Sequence, residues 1–294
     1  MYDARGGEAS NNGTIFAAAL AGVVAIGVAA VMFWPSGQDG PTTEIANASA
    51  KTISINAVFP NTEERKFAEL LKAVDDAAYM KLENEFLNRG LSDVQRHELV
   101  MKTSETVAMD NIDALARSDV KYMNMLMDDI IGGLQKASKS RAKLCNGSSF
   151  KGLDTMSPAQ AENFGRDLLR NEALREFTIK LNARLLEAIL DGRKNPKSYG
   201  TFNAADKGKI DALGPKLMSN PKIMRVLLSA GASASPEDVL AKLDLCDLSA
   251  TVLREVDRLP KDTKARLWAS TFAEIKKKGK FNLDPSQLSG LSGF

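Results

Sequence analysis

Residues 157–192 read SPAQAENFGRDLLRNEALREFTIKLNARLLEAILDG. Ser157 can cap a helix, and Pro158 suits its first turn, where a missing N–H is not needed. From there Phe164, Leu168, Leu169, Leu174, Phe177, Leu181, Leu185 and Ile189 recur every three or four positions. That is the period of an amphipathic helix with one face buried. The spacing predicts helix through to Gly192, and the same pattern on either side predicts an all-α domain.

Towards the N-terminus the pattern repeats. Pro60-Asn61-Thr62 followed by Glu63 and Glu64 is a capped start with acids in the first turn. Phe67, Leu70, Leu71, Val74, Ala78, Leu82 and Phe86 continue it to Gly90. Ser92-Asp93 opens a second stretch through Val94, Leu99, Met101, Val107, Ile112 and Leu115. A third follows Ser118 through Val120, Met123, Leu126, Ile130, Ile131 and Leu134, weakened at its end by Gly132-Gly133. Residues 138–156 read as a loop.

Beyond Gly192, residues 193–203 form another loop. Shorter helices are expected over about 204–218, interrupted near Gly214-Pro215, and over about 221–230. Another should start at Ser235-Pro236, with further helices from Leu248 to Leu259 and from Lys261 to Lys278. Residues 61–280 thus make a helical domain of one or two lobes. The tail 281–294 has no helical period. No repeat of constant length appears, so a solenoid is not supported.

Ile15 to Trp34 (IFAAALAGVVAIGVAAVMFW) is different. Its 20 residues contain no charge. At helical rise they span about 30 Å, the thickness of a bilayer's hydrocarbon core. Phe33 and Trp34 suit the interface, and Pro35 stops the helix. A cleaved signal peptide is the competing reading. It would want a basic leader, yet residues 1–14 hold one Arg and two acids, and its apolar run should be shorter. An uncleaved anchor is therefore expected. Ala17, Ala21, Ala25 and Ala29, with Gly22 beside them, form a small-residue stripe that suits close packing against a second copy. Residues 35–60 read as a polar tether, with a short extended segment near Ile53 and Ile55.

Arg5 lies before the apolar segment, and no Lys or Arg occurs from Pro35 to Ala50. The positive-inside rule then places the N-terminus in the cytoplasm and the helical domain in the periplasm of a Gram-negative cell, or outside more generally. The whole chain of 294 residues carries a net charge of +2, too little to imply nucleic acid as a partner. In an oxidising compartment Cys145 and Cys246, the two cysteines present, would form a disulfide.

Catalytic signatures are scarce. Ser140–Lys143 and Ser219–Lys222 match S-x-x-K, but the companion motifs of penicillin-binding enzymes are missing. No G-x-S-x-G elbow occurs. His97 is the chain's single histidine, so a histidine triad or zinc site has little to draw on. Asp93 and His97, four apart, read as a helix-surface pair. Asp75-Asp76 and Asp128-Asp129 lack the further acids of a magnesium site. Lys261, Lys264, Arg266, Lys276, Lys277, Lys278 and Lys280 could face anionic lipid or an acidic partner, or simply complement a helix dipole. Phe294, behind Gly/Ser spacers, could dock into a groove.

No catalytic, cofactor or metal residue is assigned. The expected function is that of a single-span, membrane-anchored envelope protein whose helical faces bind another protein, with a homodimer as one form. The alternative is an anchored hydrolase or lyase that uses paired carboxylates on cell-wall glycan.

Overall fold

A computed structural model describes residues 58–59, 61–88, 90–150, 157–221, 223–224 and 242–278. Most of the described residues are helical. They form α1 (Thr62–Val74), α2 (Asp76–Asn88), α3 (Asp93–Asp110), α4 (Ile112–Ala116), α5 (Val120–Lys139), α6 (Pro158–Leu169), α7 (Glu172–Lys194), α8 (Ala204–Asp211), α9 (Leu213–Met218), α10 (Leu245–Asp257) and α11 (Lys261–Lys278). Two 3-10 turns, Lys143–Cys145 and Gly147–Phe150, follow α5. An isolated antiparallel bridge joins Asn146 to Asp244, and no strand occurs among the described residues.

The helix starts are set locally. Asn61 accepts from the Glu64 amide at 2.7 Å, and Ser92 with Gln95 and Ser157 with Gln160 form reciprocal capping boxes. α5 ends by a different device. Arg141 takes a left-handed φ of 53°, the Ala142 amide reaches the Ala137 carbonyl at 3.0 Å, and the Arg141 amide reaches Ser138 at 2.9 Å. This is a Schellman ending with arginine where glycine is the easier residue.

Three stretches that read as continuous helix are broken. At Asp75 the backbone turns extended, and the carboxylate caps the Ala78 amide at 2.9 Å. Asn111 separates α3 from α4, its side chain donating to the Val107 carbonyl at 2.8 Å. One arginine on α7 serves both breaks: Arg193 donates to the Val74 carbonyl at 2.7 Å and to Asn111 Oδ1. The third break lies at Arg170-Asn171, where Asn171 caps the Leu174 amide and Arg175 donates to the carbonyls of Leu169 and Arg170. The break expected near Gly214-Pro215 falls earlier, at Ala212, because proline fits the first turn of α9 and need not end a helix there.

α7 is the centre of the packing. It contacts α1, α3, α4, α5 and α6, and buries Leu181, Leu185, Leu186 and Ile189. α4 lies so close that a Cβ on Gly192 would sit 1.9 Å from the Ala114 carbonyl oxygen. Gly133 likewise admits the ring of Phe177 against α5. On the far side α10 packs along α5, and α11 lies across α4 and α5. Trp268 on α11 donates to the Leu115 carbonyl at 2.8 Å and stacks edge-on against Phe272. α8 joins through Asp206, which is fully buried and held by Arg266 at 2.6 and 2.7 Å and by Thr263 at 2.9 Å. One hydrophobic cluster runs from Val58 to Ile275, with a small satellite of Ile223, Leu248 and Val252.

The end of the expected tether belongs to that core. Val58 and Phe59 are buried, and Phe59 meets the rings of Tyr79 and Phe86. None of the described helices is long and apolar enough to cross a membrane. The apolar segment Ile15–Trp34, with its stripe from Ala17 to Ala29, lies outside the described residues, as do Ile53, Ile55, the helix opening at Ser235 and the tail with Phe294.

Candidate functional site

His97 is not on the surface. It is 3% exposed, and Asp93, its expected partner, reaches instead towards Arg175 at 3.7 Å. The sequence had a signal for this, because His97 occupies the buried stripe of α3 with Val100, Ser104 and Val107. On α7, Thr178 comes within 2.8 Å of His97 Nε2. The Thr178 hydroxyl also lies 3.1 Å from the Leu174 carbonyl and 2.9 Å from the Arg175 carbonyl. A threonine carries one hydroxyl proton. Where that proton goes is tied to the ring's tautomer: donation to a carbonyl pairs with a proton on Nε2, and donation to Nε2 pairs with a proton on Nδ1. Nδ1 is buried and has no hydrogen-bond partner. Burial, reinforced by Arg175, pushes the imidazole down to about 4, so it is neutral at physiological pH.

His97 forms one wall of a cleft of about 230 Å3 with Asn61, Glu64, Asp93, Arg96, Glu172, Arg175, Glu176 and Ile179. Three helix starts meet there, those of α1, α3 and α7. Their first-turn amides are met by caps: Asn61 for Glu64, Ser92 for Gln95 and Asn171 for Leu174. The arginines are engaged as well. Arg96 donates to the Val58 carbonyl and lies 4.3 Å over the Phe86 ring. Arg175 holds the α6–α7 carbonyls. Glu64 differs. Its Oε2 is buried without a hydrogen-bond partner, and burial raises its pKa against the opposing pull of Arg96. Two residues of the cleft thus carry a buried polar atom without a partner, while its arginines are committed elsewhere.

The two cysteines come together. Cys145, in the first 3-10 turn, and Cys246, at the start of α10, have Cα atoms 4.8 Å apart and sulfurs at the bonding distance of 2.05 Å. Around them the Gly147 amide donates to the Leu243 carbonyl at 3.1 Å, and Ser138 donates to Asp244 at 2.5 Å. The Asp244 carboxylate lies within 4.8 Å of both sulfurs. With the sulfurs joined to each other, this trio offers no thiolate to a metal.

The expected cationic face is divided: Lys264 and Arg266 are drawn inward, Lys276 stays exposed, and Lys280 lies outside the described residues. Arg266 is spent on Asp206, Lys264 pairs with Asp257 at 2.8 Å and Lys276 pairs with Asp113 at 2.7 Å. Lys261 and Lys277 are exposed. The acidic doublets also diverge. Asp75 is a cap, Asp76 and Asp128 face solvent, and Asp129 pairs with Lys180 and Arg184.

An apolar surface appears on α2. Its inner side buries Tyr79, Leu82 and Phe86, while Met80 (53% exposed) and Leu87 (42%) stand outward, seven residues apart, with exposed Ala77 one turn before. Seven residues are about two turns, so these side chains share one side of the helix.

The chain matches no protein-family model, no curated protein and no solved structure.

Proposed function

We propose that this is a membrane-anchored interaction protein whose helical domain, on the non-cytoplasmic side, binds another envelope protein through the outward side of α2. The observation that carries this reading is the pair Met80 and Leu87, exposed on a helix whose opposite side is core. Large apolar side chains on one line of an ordered helix are the anchors that a facing groove or helix uses. The address rests on two supports. Ile15–Trp34 has bilayer length and no charge. The Cys145–Cys246 pair, already at bonding distance, suits an oxidising compartment.

The alternative, a carboxylate-dependent enzyme acting on glycan, has its own support in Glu64, desolvated beside Asp93, Glu172 and Glu176. Its cleft of about 230 Å3 is smaller than the roughly 300–1,000 Å3 of pockets that enclose a ligand of two or more rings. The binding role is therefore preferred.

Photo-crosslinking residues placed at 80, 87 and, as an exposed control, 218 test it in intact cells expressing the full-length chain. Adducts of one defined mass at 80 and 87, absent at 218, are expected; a mass of twice the chain would identify a second copy as the partner. No adduct at any position, or equal adducts at all three, overturns the α2 surface. Cys145 and Cys246 are buried, so a cysteine placed at exposed position 218 carries the label: in the same cells a membrane-impermeant thiol reagent should reach it from outside. Labelling that needs lysis overturns the address.

A further inference from the structure

We infer that the partner on the outward side of α2 is a second copy of this chain, and that two α2 helices pair in parallel and in register as a short two-stranded coiled coil. The inference rests on the reading of α2 as the binding surface and names its occupant. α2 packs against α1 and α3, and its inner side buries Tyr79, Leu82 and Phe86. Its outward side carries Ala77, Met80, Asn84 and Leu87, all exposed. These residues are spaced three, four and three apart. That alternation is the seam of a heptad repeat, with Ala77 and Asn84 at its a positions and Met80 and Leu87 at its d positions.

Two features make the facing helix α2 itself. The first is Asn84, polar in the middle of the seam. Against an apolar groove its amide would lose water and gain no partner. Against Asn84 of a second copy, one amide donates to the other's carbonyl, and such a pair fixes register. The second is charge. In a parallel pair, the residue just before an a position meets the partner's residue five positions further on. Asp76 precedes Ala77, and five further on is Lys81; both are exposed. The twofold axis makes this contact twice. Glu83, just before Asn84, is engaged at home, since Tyr79 donates to it at 2.6 Å, and its counterpart five further on is the neutral Asn88. An antiparallel pair, with Ala77 opposite Leu87, would set Lys81 against Lys81 and Glu83 against Glu83, and like charges oppose it. The 13 residues of α2 are just under two heptads, and helices this short are marginal alone. Here the helix is already formed on a core, so pairing pays no cost of ordering it. Two chains held in one membrane are also at high effective concentration. The parallel pair brings Val58 of both chains to the same level along the axis, as a shared membrane requires.

Disulfide trapping in membranes from cells expressing the full-length chain tests this. With Asn84→Cys, a mild oxidant should give a linked dimer at twice the chain mass, whereas Met218→Cys, exposed elsewhere, should not. In the Asn84→Cys background, Lys81→Glu sets like charge against the partner's Asp76 and should lower the dimer yield about tenfold. Adding Asp76→Lys, so that both charges are reversed, should restore it, which a merely structural effect of Lys81→Glu would not allow. Differently tagged chains carrying Asn84→Cys and Met80→Cys, expressed together, separate the orientations: a parallel pair joins 84 to 84, and an antiparallel pair joins 84 to 80. Predominance of the 84-to-80 product, or a yield indifferent to Lys81→Glu, overturns the inference. Should the charge-reversed chain fail to fold, the comparison of the two products in chains with native charges still decides. Absence of any dimer also overturns it. If positions 80 and 87 then still crosslink to a protein of another mass, the α2 surface stands with a different partner; if they crosslink to nothing, that reading falls as well.

Discussion

At Gly192, α7 and α4 touch backbone to backbone, with no room for a methyl group. At Asp206, α8 and α11 touch through a buried carboxylate gripped by a guanidinium and a hydroxyl, and the turn after α5 is joined to the start of α10 through two sulfurs. The first region is held by shape and the second by polar and covalent latches. Shape contacts are indifferent to pH and redox state but tolerate no added atom. Latches tolerate some change in shape but fail when one partner is removed. Asp206 shows how a latch fixes position: hydrogen bonds from Arg266 hold its carboxyl well below the usual range, with Thr263 and the Asn203 amide assisting. A helix as short as α8 has little apolar face of its own, and Asp206 is its one buried residue. Its place is set by charge.

The largest effect expected is on the covalent latch. Cys145 and Cys246 close a ring over a sequence separation of 101 residues, so replacing both with alanine should lower unfolding stability by about 4 kcal/mol on chain-entropy grounds. Urea titration of the oxidised chain, the reduced chain and the double variant checks this. The reduced chain and the double variant should share one midpoint. If both match the oxidised chain, α5 and α10 are held by packing and the contrast between the two regions falls.

Shape comes next. Gly192→Ala would press a methyl into the Ala114 carbonyl and should lose about 3 kcal/mol, since neither helix backbone can retreat cheaply. Gly132→Ala offers the opposite sign. Its Cβ would meet nothing within 4 Å, and alanine in a helix interior is favoured by about 0.5–1 kcal/mol. Thermal denaturation of the two variants side by side is the measurement, and equal shifts would show that the close approach of α4 is not what holds it to α7.

The cleft lies on the shape-held side yet should respond to acid. His97 is lowered to about 4 in the folded chain, against about 6.5 when unfolded. Between those values the unfolded chain binds the extra proton. Stability should therefore fall as pH drops from about 6.5 to 4, by about 3 kcal/mol in all, and be insensitive to His97 above that window. Glu64 lines the same cleft and burial raises its pKa, which acts in the opposite sense, so the share of His97 is read by difference. His97→Phe should flatten that part of the profile. An unchanged slope would mean that the ring is solvated and that Nδ1 is not buried.

Helices, caps and the apolar stripe were legible in the sequence because each depends on residues three or four apart. Ser92 with Gln95 and Ser157 with Gln160 are local pairs, and they start helices where the spacing predicted. The breaks at Asp75 and Asn111 were not legible. The apolar period runs through both, and what settles them is Arg193, 119 residues from Val74 and 82 from Asn111. The cleft was hidden for a similar reason. His97 and Asp93 looked like neighbours on a surface, but Thr178, 81 residues away, and the burial of α3 against α7 turned the ring inward. Arg266 reads as part of a cationic surface because its partner, Asp206, is remote in sequence, whereas Lys276, paired with Asp113, does stay exposed.

From the chain alone came the all-α class, the helix starts and an apolar segment of bilayer length. These follow from short-range sterics, from capping chemistry and from the exclusion of methyl groups from water, all written into neighbouring residues. The tertiary structure decided where long helices bend, which charges disappear into pairs, which polar atoms are left bare and which apolar residues of α2 stay outside. Those outcomes depend on what arrives from a hundred residues away, and burial, which turns a common side chain into an unsatisfied one, is a property of the packed whole.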